Sequence, residues 1–182
     1  MSLKVGIVGA AGYAGAELIR LVLGHPEFEL AAITSNADAG QPLSAVHPSF
    51  TGVSDLVFTT HDAPELKNCD AVFLAVPHTA AMAQVPALLA SGVSCFDLSA
   101  DYRLNDASVF EAWYAAEHTS PELLKTRAFG LPELFCQDWR PPHPTMPTAN
   151  PCWSPAPVAI PPQRALPPRP PCARAGWPRT AP

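Results

Sequence analysis

The sequence predicts an α/β protein built on a doubly wound parallel sheet, followed by a disordered proline-rich tail. Three observations lead there. Short apolar runs alternate with helix-period stretches over the first 130 residues. The first apolar run passes straight into three glycines, Gly9, Gly12 and Gly15, and an apolar helical pattern follows. Near residue 138 the composition changes abruptly.

The first strand, Leu3–Val8, is nearly all apolar, as a strand buried on both faces requires. A helix is expected from about residue 13 to 24, with Glu17 and Arg20 on its exposed side and Gly24-His25-Pro26 as its stop. Phe28–Thr34 reads as the second strand, and residues 36–54 as a loop or irregular insertion. A short strand is expected at 56–59 and a buried one at 70–76, which ends in Pro77-His78. A helix over 79–89 and a strand over 93–98 come next, then a helix over 107–116 with Phe110, Trp113 and Tyr114 inward. A brief helical turn at 121–125 and a structured loop at 129–135 complete the ordered part. Strands and helices in alternation, joined by short turns, give a parallel sheet covered on both faces.

All sixteen acidic residues lie at or before Asp138, against six basic ones, so residues 1–138 carry −10. The remainder has five Arg and no Lys, Asp or Glu, which brings the chain to −5. Fifteen of the 23 prolines follow Arg140. Proline lacks an N–H and clashes with a preceding helical turn, so 141–182 is expected to be disordered or polyproline-like. The domain boundary is therefore placed at 138: a dinucleotide-binding domain over 1–138, then a Pro/Arg/Ala-rich tail over 139–182. The acidic body argues against nucleic acid as principal partner, and no apolar run reaches the roughly 20 residues of a membrane span. Five scattered cysteines without CxxC or metal-ligand spacing fit reduced thiols in the cytoplasm and no metal site.

Strand, glycine turn, helix is the physical recipe for holding a pyrophosphate. The first glycine permits the turn, the second lets the backbone approach the phosphates, and the third lets helix and strand pack closely. The unpaired N–H groups of the new helix then face the anion. At the end of the second strand, Thr34-Ser35-Asn36 offers no carboxylate for ribose hydroxyls, which favours NADP over NAD. Open parallel sheets bind ligands beyond the carboxyl ends of their strands, which here carry Ser35, Pro77-His78 and residues 99–103. His78 reads either as a cofactor contact or acid–base group, or as an ordinary loop histidine. Arg103 reads either as an anion anchor for a carboxylate or phosphate, or as a salt-bridge partner of Asp97 or Asp101. Glu133 reads as structural. Cys69 and Cys95 fall at or inside strands and are expected to be inert; on composition alone nothing singles out Cys152.

GAAGYAGAEL, HPSFTG, FLAVPH, FDLSADYRL and FGLPEL occur here in the order and at the spacings found in N-acetyl-gamma-glutamyl-phosphate reductases of arginine biosynthesis. Over residues 3–136 the chain resembles that family. The resemblance implies a Rossmann-type NADP domain of the semialdehyde dehydrogenase group, in a homo-oligomeric enzyme that reduces a small acyl phosphate to an aldehyde through a cysteine thioester. A relative that acts on a carrier-linked aminoadipyl phosphate in lysine synthesis has similar N-terminal motifs. By the same resemblance, Gly9, Ala11, Gly12, Tyr13, Ala14 and Gly15 form the cofactor loop. Ser35 matches a position suited to the adenosine phosphate, and Pro77 and His78 the nicotinamide side; Arg103, read above as an anion anchor, is expected to help hold the substrate.

Ala149-Asn150-Pro151-Cys152-Trp153 resembles the family's nucleophile motif with its Gly missing and Trp in place of Tyr, which makes Cys152 the candidate nucleophile. The expectation for 139–182 is an out-of-frame reading in place of a catalytic and dimerisation domain. Two outcomes follow: a reductase by family, or a catalytically dead NADP-binding fragment.

Overall fold

The computed structural model describes residues 2–129 and 158–160. β1 (Leu3–Val8) is flanked by β2 (Phe28–Thr34) and β3 (Ala71–Leu74), and β3 pairs with β4 (Ser94–Asp97), all in parallel. Two further short strands, β5 (Ala128–Phe129) and β6 (Val158–Ile160), extend the sheet to the order β2-β1-β3-β4-β6-β5. The strand order reverses beside β1, which makes its carboxyl end the switch point where such sheets bind ligands.

Alternation along the strands decides which helix covers which face. Val5 and Ile7 of β1, with Phe73 and Phe96, face α1 (Tyr13–Leu23) and its Leu18, Ile19 and Val22. Val8, Val72, Leu74 and Cys95 face the other way, against α3 (Ala81–Ala90) and its Met82, Val85 and Leu88. Each fully buried Val, Leu or Ile contributes about 1.5–3 kcal/mol, so the two faces together hold the fold. Pro86 inside α3 cannot donate to the Met82 carbonyl; the Thr119 hydroxyl does so instead, at 3.4 Å. No helix among the described residues is long and apolar enough to cross a membrane.

The parallel strands bring Val8, Thr34, Leu74 and Asp97 to one rim. β6 runs antiparallel to β4, with Phe96 opposite Ala159, and to β5, with Phe129 opposite Val158. Phe129 and Val158 therefore both lie at that rim.

Several expectations shift. The insertion contains a helical turn, α2 (Leu43–Val46), and a 3₁₀ turn, Pro48–Phe50. Residues 56–59 make only isolated bridges, Pro42 with Val57 and Thr34 with Thr59, because the pairing never extends past single residues. α3 starts at Ala81, since Thr79 lies at φ +74°. On α4 (Ala107–Tyr114) Phe110 is buried, but Trp113, one turn on, is 80% exposed. Within the proline-rich segment, Val158–Ile160 forms a strand: it is a proline-free tripeptide between Pro157 and Pro161, so its N–H groups remain free to pair. The rest of the tail, Cys152, Glu133 and the loop after Phe129 lie outside the described residues.

Candidate functional site

The glycine turn shows why each glycine is there. Gly9 adopts φ +79°, and a Cβ on it would sit 2.4 Å from the Ala75 carbonyl oxygen at the end of β3. A Cβ on Gly15 would lie 2.5 Å from the Ala10 Cα and 2.6 Å from the Gly9 carbonyl oxygen. Both positions are fixed by the fold itself. Gly12 is different: its φ is −78°, and a Cβ there would meet only the Gly9 oxygen, at 3.7 Å. Among the described residues nothing demands glycine at 12, and the bare backbone there leaves the space that close approach of a ligand requires.

Gly12 is the N-cap of α1, where no side chain caps the helix and no acidic residue sits in the first turn. The first N–H groups of a helix have no intrahelical acceptor, and here they open to solvent beside exposed Gly12, Tyr13 and Ala14. Tyr13 is 100% exposed and Ala11 half-buried. The turn is tied down from behind: the Gly9 and Ala10 N–H groups both donate to the Thr34 carbonyl, at 3.1 and 3.0 Å. His47, in the loop after α2, donates from Nε2 to the Ala10 carbonyl at 3.0 Å. An open helix start, a glycine with space for a ligand and an anchored loop together fit a dinucleotide pyrophosphate.

At the end of β2, Ser35 is buried and its hydroxyl donates to Asp38 Oδ2 at 2.6 Å. The strand end that reads as free of carboxylates thus receives one from three residues on, because the chain curls back after Asn36. His61 joins the same corner, with Nδ1 2.8 Å from the Thr34 hydroxyl and its own N–H on Asn36 Oδ1 at 2.9 Å. Burial lowers the His61 pKa, against the opposing pull of Asp62.

Pro77 and His78 lie exposed beyond β3, with the His78 ring 5.6 Å from that of Tyr114 on α4. At the end of β4, Asp97 accepts the Ser99 N–H and hydroxyl at 2.8 and 2.9 Å. Burial pushes its pKa up to about 6, the neighbouring Asp101 charge adding to the shift against the Ser99 hydrogen bonds. Arg103 forms no ion pair with Asp97 or Asp101 among the described residues; its guanidinium donates to the Ser99 carbonyl at 3.3 Å, and the side chain remains exposed.

Sequence reasoning missed Arg127. It donates to the carbonyls of Tyr102, Leu124 and Arg103 and to Asn105 Oδ1, clamping the segment that carries Arg103. Burial lowers its pKa. Only the shortage of arginines in the ordered part marked it. Cys69 and Cys95 are buried, and burial raises their pKa values to about 11 and about 12, which leaves them as thiols. Among the described residues no cluster of His, Cys, Asp or Glu could hold a metal ion.

The structure thus brings the glycine turn, Ser35, the Pro77-His78 bend and the Arg103 segment to one rim. Residues 4–140 match the family described as semialdehyde dehydrogenase, NAD binding domain. The chain is 54% identical over 132 residues to the N-acetyl-gamma-glutamyl-phosphate reductase of Herminiimonas arsenicoxydans, covering 72% of this chain and 38% of that protein. With the enzyme of the same name from Bordetella pertussis it shares 48% over 132 residues, 72% of this chain and 37% of the relative. The chain therefore spans less than two fifths of the length of these curated relatives. Among solved structures, it superposes on the aspartate semialdehyde dehydrogenase of Candida albicans with NADP at a TM-score of 0.52 and 24% identity, covering 59% of this chain and 32% of the other. On aspartate semialdehyde dehydrogenase II of Vibrio cholerae the TM-score is 0.53 at 12% identity, over 75% of this chain and 34% of the other. Those two likenesses are of fold alone. With its glycine turn, parallel sheet and rim in the arrangement that fold requires, the chain belongs to the semialdehyde dehydrogenase NAD-binding domain family.

Proposed function

We propose that the chain forms the NADP-binding part of an N-acetyl-gamma-glutamyl-phosphate reductase. The observation that carries this reading is Gly12, where a side chain would meet no described atom closer than 3.7 Å, so that the bare backbone leaves room for a pyrophosphate. The named relatives at 54% and 48% identity supply the substrate class, a small acyl phosphate.

Bound NADPH supplies a hydride. In this reading the helix start at Gly12 to Gly15 holds its pyrophosphate, Ser35 faces the adenosine end, and Pro77 and His78 border the nicotinamide. Arg103 holds the anionic substrate beside them. Cys152 would attack the acyl carbon as a thiolate, with the phosphate leaving as a thioester forms, and would leave again as thiolate when that thioester is reduced to the aldehyde. A cytoplasmic setting, with reduced thiols, belongs to the same reading.

A second reading has a specific observation in its favour. Within the described residues the thiols are Cys69 and Cys95, both buried and protonated, so the described part binds cofactor without supplying a nucleophile. We infer that the described residues by themselves hold NADP without turnover. Titration of the chain with NADPH, followed by nicotinamide fluorescence, tests the shared part: saturable binding is expected, and its absence refutes both readings. An assay of NADPH oxidation with N-acetyl-glutamyl phosphate separates them. No turnover above background is expected; robust turnover favours the first reading.

A further inference from the structure

Among the described residues, two that are not glycine have positive φ: Ala115 at +52° and Thr79 at +74°. Ala115 is the C-cap of α4, where a left-handed residue is ordinary. Thr79 has no such excuse. A β-branched residue in this region is strained, and persists only where its surroundings hold it.

What holds it is Asp101. The Thr79 N–H donates to Asp101 Oδ1 at 2.6 Å and the Met82 N–H to Oδ2 at 3.0 Å. Asp101 is fully buried, and no Lys or Arg among the described residues pairs with its carboxylate. Its main chain is pinned as firmly. The Asp101 N–H donates to the Ser99 hydroxyl oxygen at 3.1 Å, and that hydroxyl donates onward to Asp97. His118 Nε2 donates to the Asp101 carbonyl at 2.8 Å, with its Nδ1 accepting the Ser120 N–H at 3.2 Å. Capping α3 would need only the Met82 bond, since the helix begins at Ala81. The Thr79 bond lies outside the helix and does something else: it fixes the bend that carries His78.

That bend starts where the glycine turn ends. Gly9 packs on Ala75 and Val76, two residues ahead of His78. With the pyrophosphate on α1 and the adenosine over β2, the other nucleoside must lie on the β3 side of the switch point. Resting on the dinucleotide reading above, we propose that Asp101 is a positioning residue: by holding Thr79 left-handed, it sets the Pro77-His78 bend as the seat of the nicotinamide half.

The test uses the full chain and two probes, NADPH and 2′,5′-ADP, which lacks the nicotinamide half. Asp101→Asn turns one acceptor into a donor facing an N–H, and is expected to weaken NADPH about ten-fold while 2′,5′-ADP changes less than about two-fold. In a Thr79→Gly background, where the bend is unstrained, Asp101→Asn should cost NADPH less than about two-fold. Equal loss for both probes, or an undiminished loss in the Thr79→Gly background, makes Asp101 a helix cap only and overturns the proposal. If the unsubstituted chain binds neither probe, the dinucleotide reading itself falls, and this one with it. Should Asp101→Asn not fold, amide hydrogen exchange in the unsubstituted chain decides: the exposed Thr79 N–H must be protected like the β3 amides, and free exchange overturns the proposal.

Discussion

His47 reaches across 37 positions of sequence to donate from Nε2 to the Ala10 carbonyl, 3.0 Å away. One turn of an insertion thereby anchors the backbone that precedes the open start of α1. Phe50 and Phe58 hold the ring from the sides, at centroid distances of 6.1 and 6.3 Å. A hydrogen bond of this kind contributes about 1 kcal/mol, so His47→Ala should weaken NADPH and 2′,5′-ADP alike by about five-fold. His47→Gln, which keeps a donor, should recover part of the loss. Fluorescence titration of both ligands reads this out, and a loss confined to NADPH would contradict it.

The three glycines should separate on substitution. Gly15→Ala puts a methyl 2.5 Å from the Ala10 Cα, and Gly9→Ala adds a positive φ to a clash with Ala75. Each should destabilise the fold by about 3 kcal/mol or more. Gly12→Ala meets no atom closer than 3.7 Å and should melt close to the unsubstituted chain, yet bind NADPH at least about ten-fold more weakly. Thermal melts and titrations on the same preparations make the comparison.

Asp38 should limit the affinity for a 2′-phosphate. Its carboxylate accepts a hydrogen bond from the Ser35 hydroxyl and places a negative charge at the corner where the adenosine ribose is expected. Asp38→Asn removes that charge and should tighten NADP relative to NAD by about three- to ten-fold. Paired dissociation constants for the two nucleotides check it; an unchanged ratio would place the phosphate elsewhere.

Asp97 should make the protein less stable as neutral pH is approached from below. Its folded pKa, about 6, lies above the ordinary carboxylate value of 3.8. The folded state therefore binds the extra proton between these values, and the stabilisation present below about pH 4 is lost as pH rises through 6. A shift of about two units corresponds to about 3 kcal/mol. Asp97→Asn should flatten this part of the pH profile, measured as the difference in melting temperature between the two proteins from pH 4.5 to 7.5.

Local chemistry made the strand–turn–helix unit legible. Leu3–Val8, the three glycines and Phe28–Thr34 each carry their own signal, and the second strand appears with the predicted bounds. The strand at 70–76 and the helix at 79–89 were legible in kind, with the start of the helix set by Asp101, which no local pattern reveals. Trp113 misled because a 3.6-residue period locates a helix without saying how wide its buried stripe is. Asp38, His47 and Arg127 stayed hidden for a common reason. Their partners are backbone or hydroxyl groups brought near by the fold, and those groups look the same in every sequence.

The position of β6 has a consequence for the order in which the chain can assemble. Through Asp97, each strand pairs with a neighbour already synthesised, so the four-stranded parallel core can close during translation from local strand–helix–strand units. β5 cannot follow suit, because its partner is β6 and not β4. Until Val158–Ile160 emerges, β4 is an outer strand with unpaired backbone groups, and any other extended chain can claim them. Three residues between prolines thus decide whether the nascent sheet ends on its own strand or on a stranger's.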